Sequence, residues 1–80
     1  MRAKVFALRM GNDYLDDAVL YTTLRDARQA FMQAATELAR YGQAIEATIH
    51  MADTPDHIVE YPDYTLKLSE HGRVIMDRVY

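Results

Sequence analysis

Three histidines, His50, His57 and His71, are the residues best suited to metal binding or proton transfer. Tetrahedral metal sites need ligands at short fixed spacings, such as i and i+4 on one helix, and often use cysteine. Here His50 falls on the outward face of a strand, His57 in an irregular segment and His71 in a hairpin turn, and the chain has no cysteine. The expectation is three ordinary exposed histidines, no metal and no cofactor. Asp16 and Asp17 are adjacent, and neighbours on a strand point to opposite faces, so they are poorly placed to share acid–base work. Asp53, Asp56, Glu60 and Asp63 lack the glycine and ligand order of a calcium loop. Ser69 is the single serine and sits in a turn. There is no nucleophile elbow, phosphate loop or dinucleotide fingerprint. The pattern predicts no catalytic residue and a protein that is not an enzyme.

The remaining chemistry is acid beside aromatic. Glu60-Tyr61-Pro62-Asp63-Tyr64 sets two tyrosines among carboxylates, and Tyr14 lies between Asp13 and Asp16. Tyrosine offers a large rigid contact area with a polar tip, and flanking carboxylates form charge-assisted hydrogen bonds with Arg and Lys. Net charge is only −3, but it is unevenly placed. Between Arg9 and Arg25 the chain holds Asp13, Asp16 and Asp17 and no Lys or Arg. Between Arg40 and Lys67 it holds Glu46, Asp53, Asp56, Glu60 and Asp63, again without Lys or Arg. Phosphate binding needs the opposite sign, so a basic protein surface fits better than nucleic acid. Asp13, Asp16, Asp17, Asp53, Asp56, Glu60, Tyr61 and Asp63 are the candidate partner-binding residues. Tyr21 and Tyr64 are assigned to the core.

These loops need a frame. Lys4 to Met10 reads as a strand, with Val5, Ala7 and Arg9 on one face and Phe6, Leu8 and Met10 on the other. Gly11-Asn12-Asp13 is a turn cluster, and Asp17–Tyr21 completes an antiparallel hairpin. Thr23 is placed to cap a helix, with Asp26 three residues on. Leu24, Ala27, Phe31, Ala34, Leu38 and Tyr41 then form one apolar stripe. Arg40 suits the last turn, and Gly42 suits the C′ position. Ile45, Ala47, Ile49 and Met51 alternate with Glu46, Thr48 and His50 as a half-buried strand. Thr54-Pro55-Asp56 reads either as one helical turn or as an extended edge segment. Tyr64, Leu66 and Leu68 alternate with polar residues, Ser69–Gly72 turns, and Arg73–Tyr80 is the last strand. The prediction is a single α+β domain over residues 1–80. One helix packs on a mainly antiparallel sheet of about five strands, in the order ββα followed by two or three strands.

Half of the 80 residues are apolar and about a quarter are charged, which is globular composition. A domain this small buries only about 60 % of its unfolded surface, leaving little room for both a core and a preorganised pocket. The absence of cysteine points to a reducing compartment, the bacterial or host cytosol. Arg9 interrupts the N-terminal apolar run, and no stretch reaches membrane-spanning length, so a soluble protein is expected.

The strand, the Met10-Gly11-Asn12-Asp13-Tyr14 turn, the Thr23-capped helix ending Ala39-Arg40-Tyr41-Gly42 and the strands that follow resemble small phage-encoded anti-CRISPR proteins. The likeness spans nearly the whole chain, is greatest to those acting on the type I-C Cascade complex, and carries no diagnostic motif. It implies an inhibitor that binds Cascade subunits and blocks recognition or binding of target DNA. Such surfaces are rich in Lys and Arg because they grip phosphate. An acidic face would then act as a partial DNA mimic, although −3 points to a mixed acidic and apolar surface. The alternative is a structural or regulatory mobile-element protein that forms a homodimer through a sheet edge or face.

Overall fold

A computed structural model describes residues 3–11, 13–42 and 45–79. The described residues form one five-stranded antiparallel sheet and one α-helix in the order ββαβββ. β1 (Val5–Met10), β2 (Val19–Tyr21), β3 (Glu46–Ala52), β4 (Tyr64–Leu68) and β5 (Val74–Arg78) are arranged β2-β1-β3-β4-β5. The helix α1 (Leu24–Ala39) crosses one face. Two 3-10 turns, Leu15–Asp17 and Pro55–His57, interrupt the β1–β2 and β3–β4 connections.

Register fixes which side chains share a face, because directly opposed residues in an antiparallel pair project to the same side. Phe6 opposes both Tyr21 and Met51, and Leu8 opposes both Val19 and Ile49. Ala47 opposes Leu66, which opposes Met76. These rows meet Ala27, Phe31 and Ala35 of α1 to form the core, with Phe31 and Ile49 at 0 % exposure. Tyr21 and Tyr64 are partly buried against it.

The helix starts where the sequence places it. Thr23 is extended, and its Oγ1 accepts from the Asp26 N–H at 3.1 Å, satisfying a donor the first turn leaves free. Arg40 is the C-cap, and Gly42 follows at φ 75°, a conformation open to glycine. The expected stripe is corrected at its C-terminal end. Ala35, not Ala34, is fully buried, while Leu38 is 37 % and Tyr41 76 % exposed. The reason is reach: sixteen helical residues extend roughly 24 Å, and residues 36–42, all exposed, lie beyond the sheet's cover.

Two further expectations change. The second strand begins at Val19, not Asp17, because Asp17 N–H and Ala18 N–H bond back to the Tyr14 and Leu15 carbonyls in a 3-10 turn. The Thr54–Asp56 ambiguity resolves as a 3-10 turn over Pro55–His57, with proline at its start. The last strand covers Val74–Arg78, and Tyr80 lies outside the described residues, as does Asn12 of the first turn. No helix among the described residues is long and apolar enough to cross a membrane.

Phe31→Ala should cost about 3–5 kcal/mol, a large share of what so small a domain holds. Tyr41→Ala should stay within about 0.5 kcal/mol. Urea denaturation followed by circular dichroism reads the contrast.

Candidate protein-binding face

The sheet has a second face that no helix covers. Ala7, Arg9, Leu20, Glu46, Thr48, His50, Thr65, Lys67, Ile75 and Asp77 belong to it by register. Yet Ala7 is 0 % and His50 1 % exposed. The expected exposed histidine is therefore corrected: His50 points to the predicted side but is buried there. The cover is the β3–β4 connection, which folds back over the strand. His50 Nδ1 lies 2.8 Å from the Val59 carbonyl and Nε2 lies 2.9 Å from Thr48 Oγ1. A carbonyl only accepts, so Nδ1 carries the proton and donates to Val59. In the neutral ring Nε2 then accepts from the Thr48 hydroxyl. Both ring nitrogens are satisfied, which is what a buried imidazole requires.

Asp63 fastens the other end of the same connection. Its N–H donates to the Ile49 carbonyl at 2.9 Å, its carboxylate accepts from the Met51 N–H at 2.8 Å, and its carbonyl accepts from the Val79 N–H at 3.0 Å. This residue was expected to present charge to a partner. One of its carboxylate oxygens is instead held by the β3 backbone, and the side chain is half-buried.

The other candidates sit on the two 3-10 turns and their flanks. Asp13, Asp16, Asp17, Asp56, Glu60 and Tyr61 are all exposed, with Tyr61 at 75 %. Leu15, Asp16 and Ala18 from one connection and Leu20 of β2 line a cleft of about 210 Å3 together with Pro55 and Ile58 from the other connection. The two connections that carry the acidic windows, 37 residues apart when counted from Asp16 to Asp53, thus meet at this cleft, where Asp16 is the acid that lines it. Asp53 faces locally: its Oδ1 accepts from the Thr54 N–H at 2.9 Å and lies 2.6 Å from His57 Nδ1. That hydrogen bond is the main reason its carboxyl sits below the ordinary 3.8; partial burial opposes it, and the imidazolium charge adds to it. This pair is the one salt bridge among the described residues, so no Lys or Arg there neutralises the acidic turns at contact range.

The other half of the face is open. Gly11, Glu46, Thr48, Thr65, Lys67, Ile75 and Asp77 line a groove of about 350 Å3. Short threonines in the middle of the row Thr48–Thr65–Asp77 and a glycine opposite Glu46 leave this hollow. Sequence reading missed the groove. The alternation of β3, β4 and β5 marks its polar positions, but only the register sets them side by side. Arg9 belongs to the same face; its Nε is buried and has no hydrogen-bond partner among the described residues. No group of three or more His, Asp or Glu residues close enough to hold a metal ion occurs among the described residues.

Comparison of the chain with protein-family models, with curated proteins and with solved structures finds no match.

Replacing His50 with alanine should destabilise the fold by about 2 kcal/mol, since it strands the Val59 carbonyl and opens a hole beneath the connection. Hydrogen exchange should show the Ile58 N–H, bonded to the Pro55 carbonyl beneath the same connection, losing protection, whereas His71→Ala changes little. A second test concerns pH. Asp53 has a lowered pKa, so its pairing contributes fully above the ordinary 3.8 and is lost as pH falls through its own lower value. His57→Asn should therefore move the Asp53 carboxyl titration, followed by NMR, upward toward 3.8.

Proposed function

We propose that this protein acts by binding, laying its acidic helix-free face on a basic protein surface. Its target on this reading is a type I CRISPR Cascade complex, I-C in particular, whose recognition or binding of target DNA it blocks. One observation carries the proposal: Asp13, Asp16, Asp17, Asp56 and Glu60 are exposed on two connections that meet at one cleft, with no Lys or Arg ion pair among the described residues. Unpaired surface carboxylates cost little when hydrated and attract a cationic partner over about 8–10 Å at physiological salt. The exposed carboxylates favour a cationic partner, and the resemblance described above is the ground for choosing Cascade.

Tyr61, exposed on the second connection between Glu60 and Asp63, adds an aromatic anchor beside the charge. Charge at an interface governs mainly encounter rate and specificity, while buried aromatic area governs lifetime. The turns therefore steer, and Tyr61 with Leu20 and Ile58 holds. Asp53 and Asp63 support this surface from within, through His57 and through the β3 backbone.

The test is a binding measurement with purified type I-C Cascade. The combined substitutions Asp16→Asn, Asp17→Asn, Asp56→Asn and Glu60→Gln should leave the circular dichroism spectrum unchanged. They should also slow association by about tenfold at low salt and flatten its salt dependence. Tyr61→Ala should instead speed dissociation. Absence of any complex between the unaltered protein and Cascade would remove the proposal, as would a quadruple variant that binds with the original salt slope.

A further inference from the structure

The sheet is open and has two edges. At one, β2 is three residues long and flanked by the Leu15–Asp17 turn. At the other, β5 runs five residues, with Ile75, Asp77, Arg78 and the preceding Arg73 exposed and no strand paired beyond it among the described residues.

Hydrogen bonding fixes which backbone groups of β5 are free. Ser69 N–H donates to the Arg73 carbonyl, and Val79 N–H donates to the Asp63 carbonyl. In an antiparallel pair, residues alternate between bonding the partner and facing away. Arg73, Ile75, Asp77 and Val79 therefore bond toward β4, and Val74, Met76 and Arg78 point their N–H and C=O groups outward. The side chains divide the same way. Val74 and Met76 lie on the helix face beside the core, and Arg73, Ile75 and Asp77 follow one another on the helix-free face.

The helix-free row reads cation, apolar, anion. We propose that β5 pairs with β5 of a second copy about a twofold axis through Ile75, extending the sheet across the two chains. This register sets Ile75 against its own counterpart, Val74 against Met76, and Arg73 against Asp77 twice, once on each side of the axis. It also joins the outward backbone groups of Val74 to those of Met76, so the hydrogen-bond phase permits the alignment that the charge pattern selects. A shift by two residues toward the C-terminus brings Asp77 against its own counterpart, like charges face to face. Neither Arg73 nor Asp77 has a salt-bridge partner in its own chain among the described residues. A twofold edge contact is self-complementary by construction, and this strand carries both halves of the match. The pairing is independent of any Cascade contact.

Sedimentation velocity over a concentration series tests it. The unaltered protein should pass from monomer to dimer. Arg73→Asp and Asp77→Arg each place two like-charged pairs at the edge and should weaken the dimer by about tenfold or more. Mixed together, those two variants should form a heterodimer, because each then supplies the charge the other needs. The double variant Arg73→Asp/Asp77→Arg should dimerise again. In the unaltered protein the amide protons of Val74 and Met76 should exchange more slowly as concentration rises, a readout that needs no substitution. A protein that stays monomeric throughout the series would overturn the proposal. So would a dimer indifferent to either charge reversal, or two folded single variants that fail to combine.

Discussion

One helix has to serve a sheet that has two faces, and the rest of the structure follows from that shortage. Phe31, Ala27 and Ala35 close one side with Phe6, Leu8, Ile49 and Leu66. Nothing of comparable size is left for the other. The chain covers part of it with its own connections, Leu15 from one meeting Pro55 and Ile58 from the other beside Leu20 of β2. The remaining half stays open as a polar groove. Connections that serve as cover need anchors, since irregular backbone over a sheet must place its carbonyls and N–H groups somewhere. His50 and Asp63 are those anchors.

Much of this frame was legible in the sequence. Period-two alternation gave β1, β3 and β4 with their facing, and the Thr23 cap marked the helix start to the residue. Local chemistry suffices for such features, because each depends on neighbours within a few positions. The errors share a different cause. Alternation assigns His50 to the outward side, and whether that side is wet depends on how residues 53–63 travel. Leu38 and Tyr41 continue the helical period, but the sheet beneath them ends first. Asp63 looked like a surface acid because nothing local announces that the Met51 N–H needs an acceptor twelve residues away. Long-range placement, not residue type, decided each case.

The candidate site divides along the same line. That two acidic windows exist was plain from charge counting, and most of their residues are exposed as expected. That they approach each other was not readable, because it needs the order β2-β1-β3 and both turns folded to the same side. The groove formed by Glu46, Thr48, Thr65 and Asp77 required register across three strands. Topology thus brings the two connections together at one cleft, although Asp16 is the single acid that lines it.

The anchoring of the second connection has an energetic consequence for Tyr61. Val59 is tied to His50 on one side of it and Asp63 is tied to three backbone groups on the other. Pro62, whose ring restricts φ, lies between. The span from Glu60 to Pro62 is therefore a short bridge between two fixed piers, and its aromatic ring is displayed on a backbone already ordered. Ordering a flexible loop at an interface opposes association by about 0.5–1.5 kcal/mol for each side chain immobilised, before any contact is counted. A ring mounted this way forgoes part of that entropy loss, so even a small surface can hold its partner with few residues.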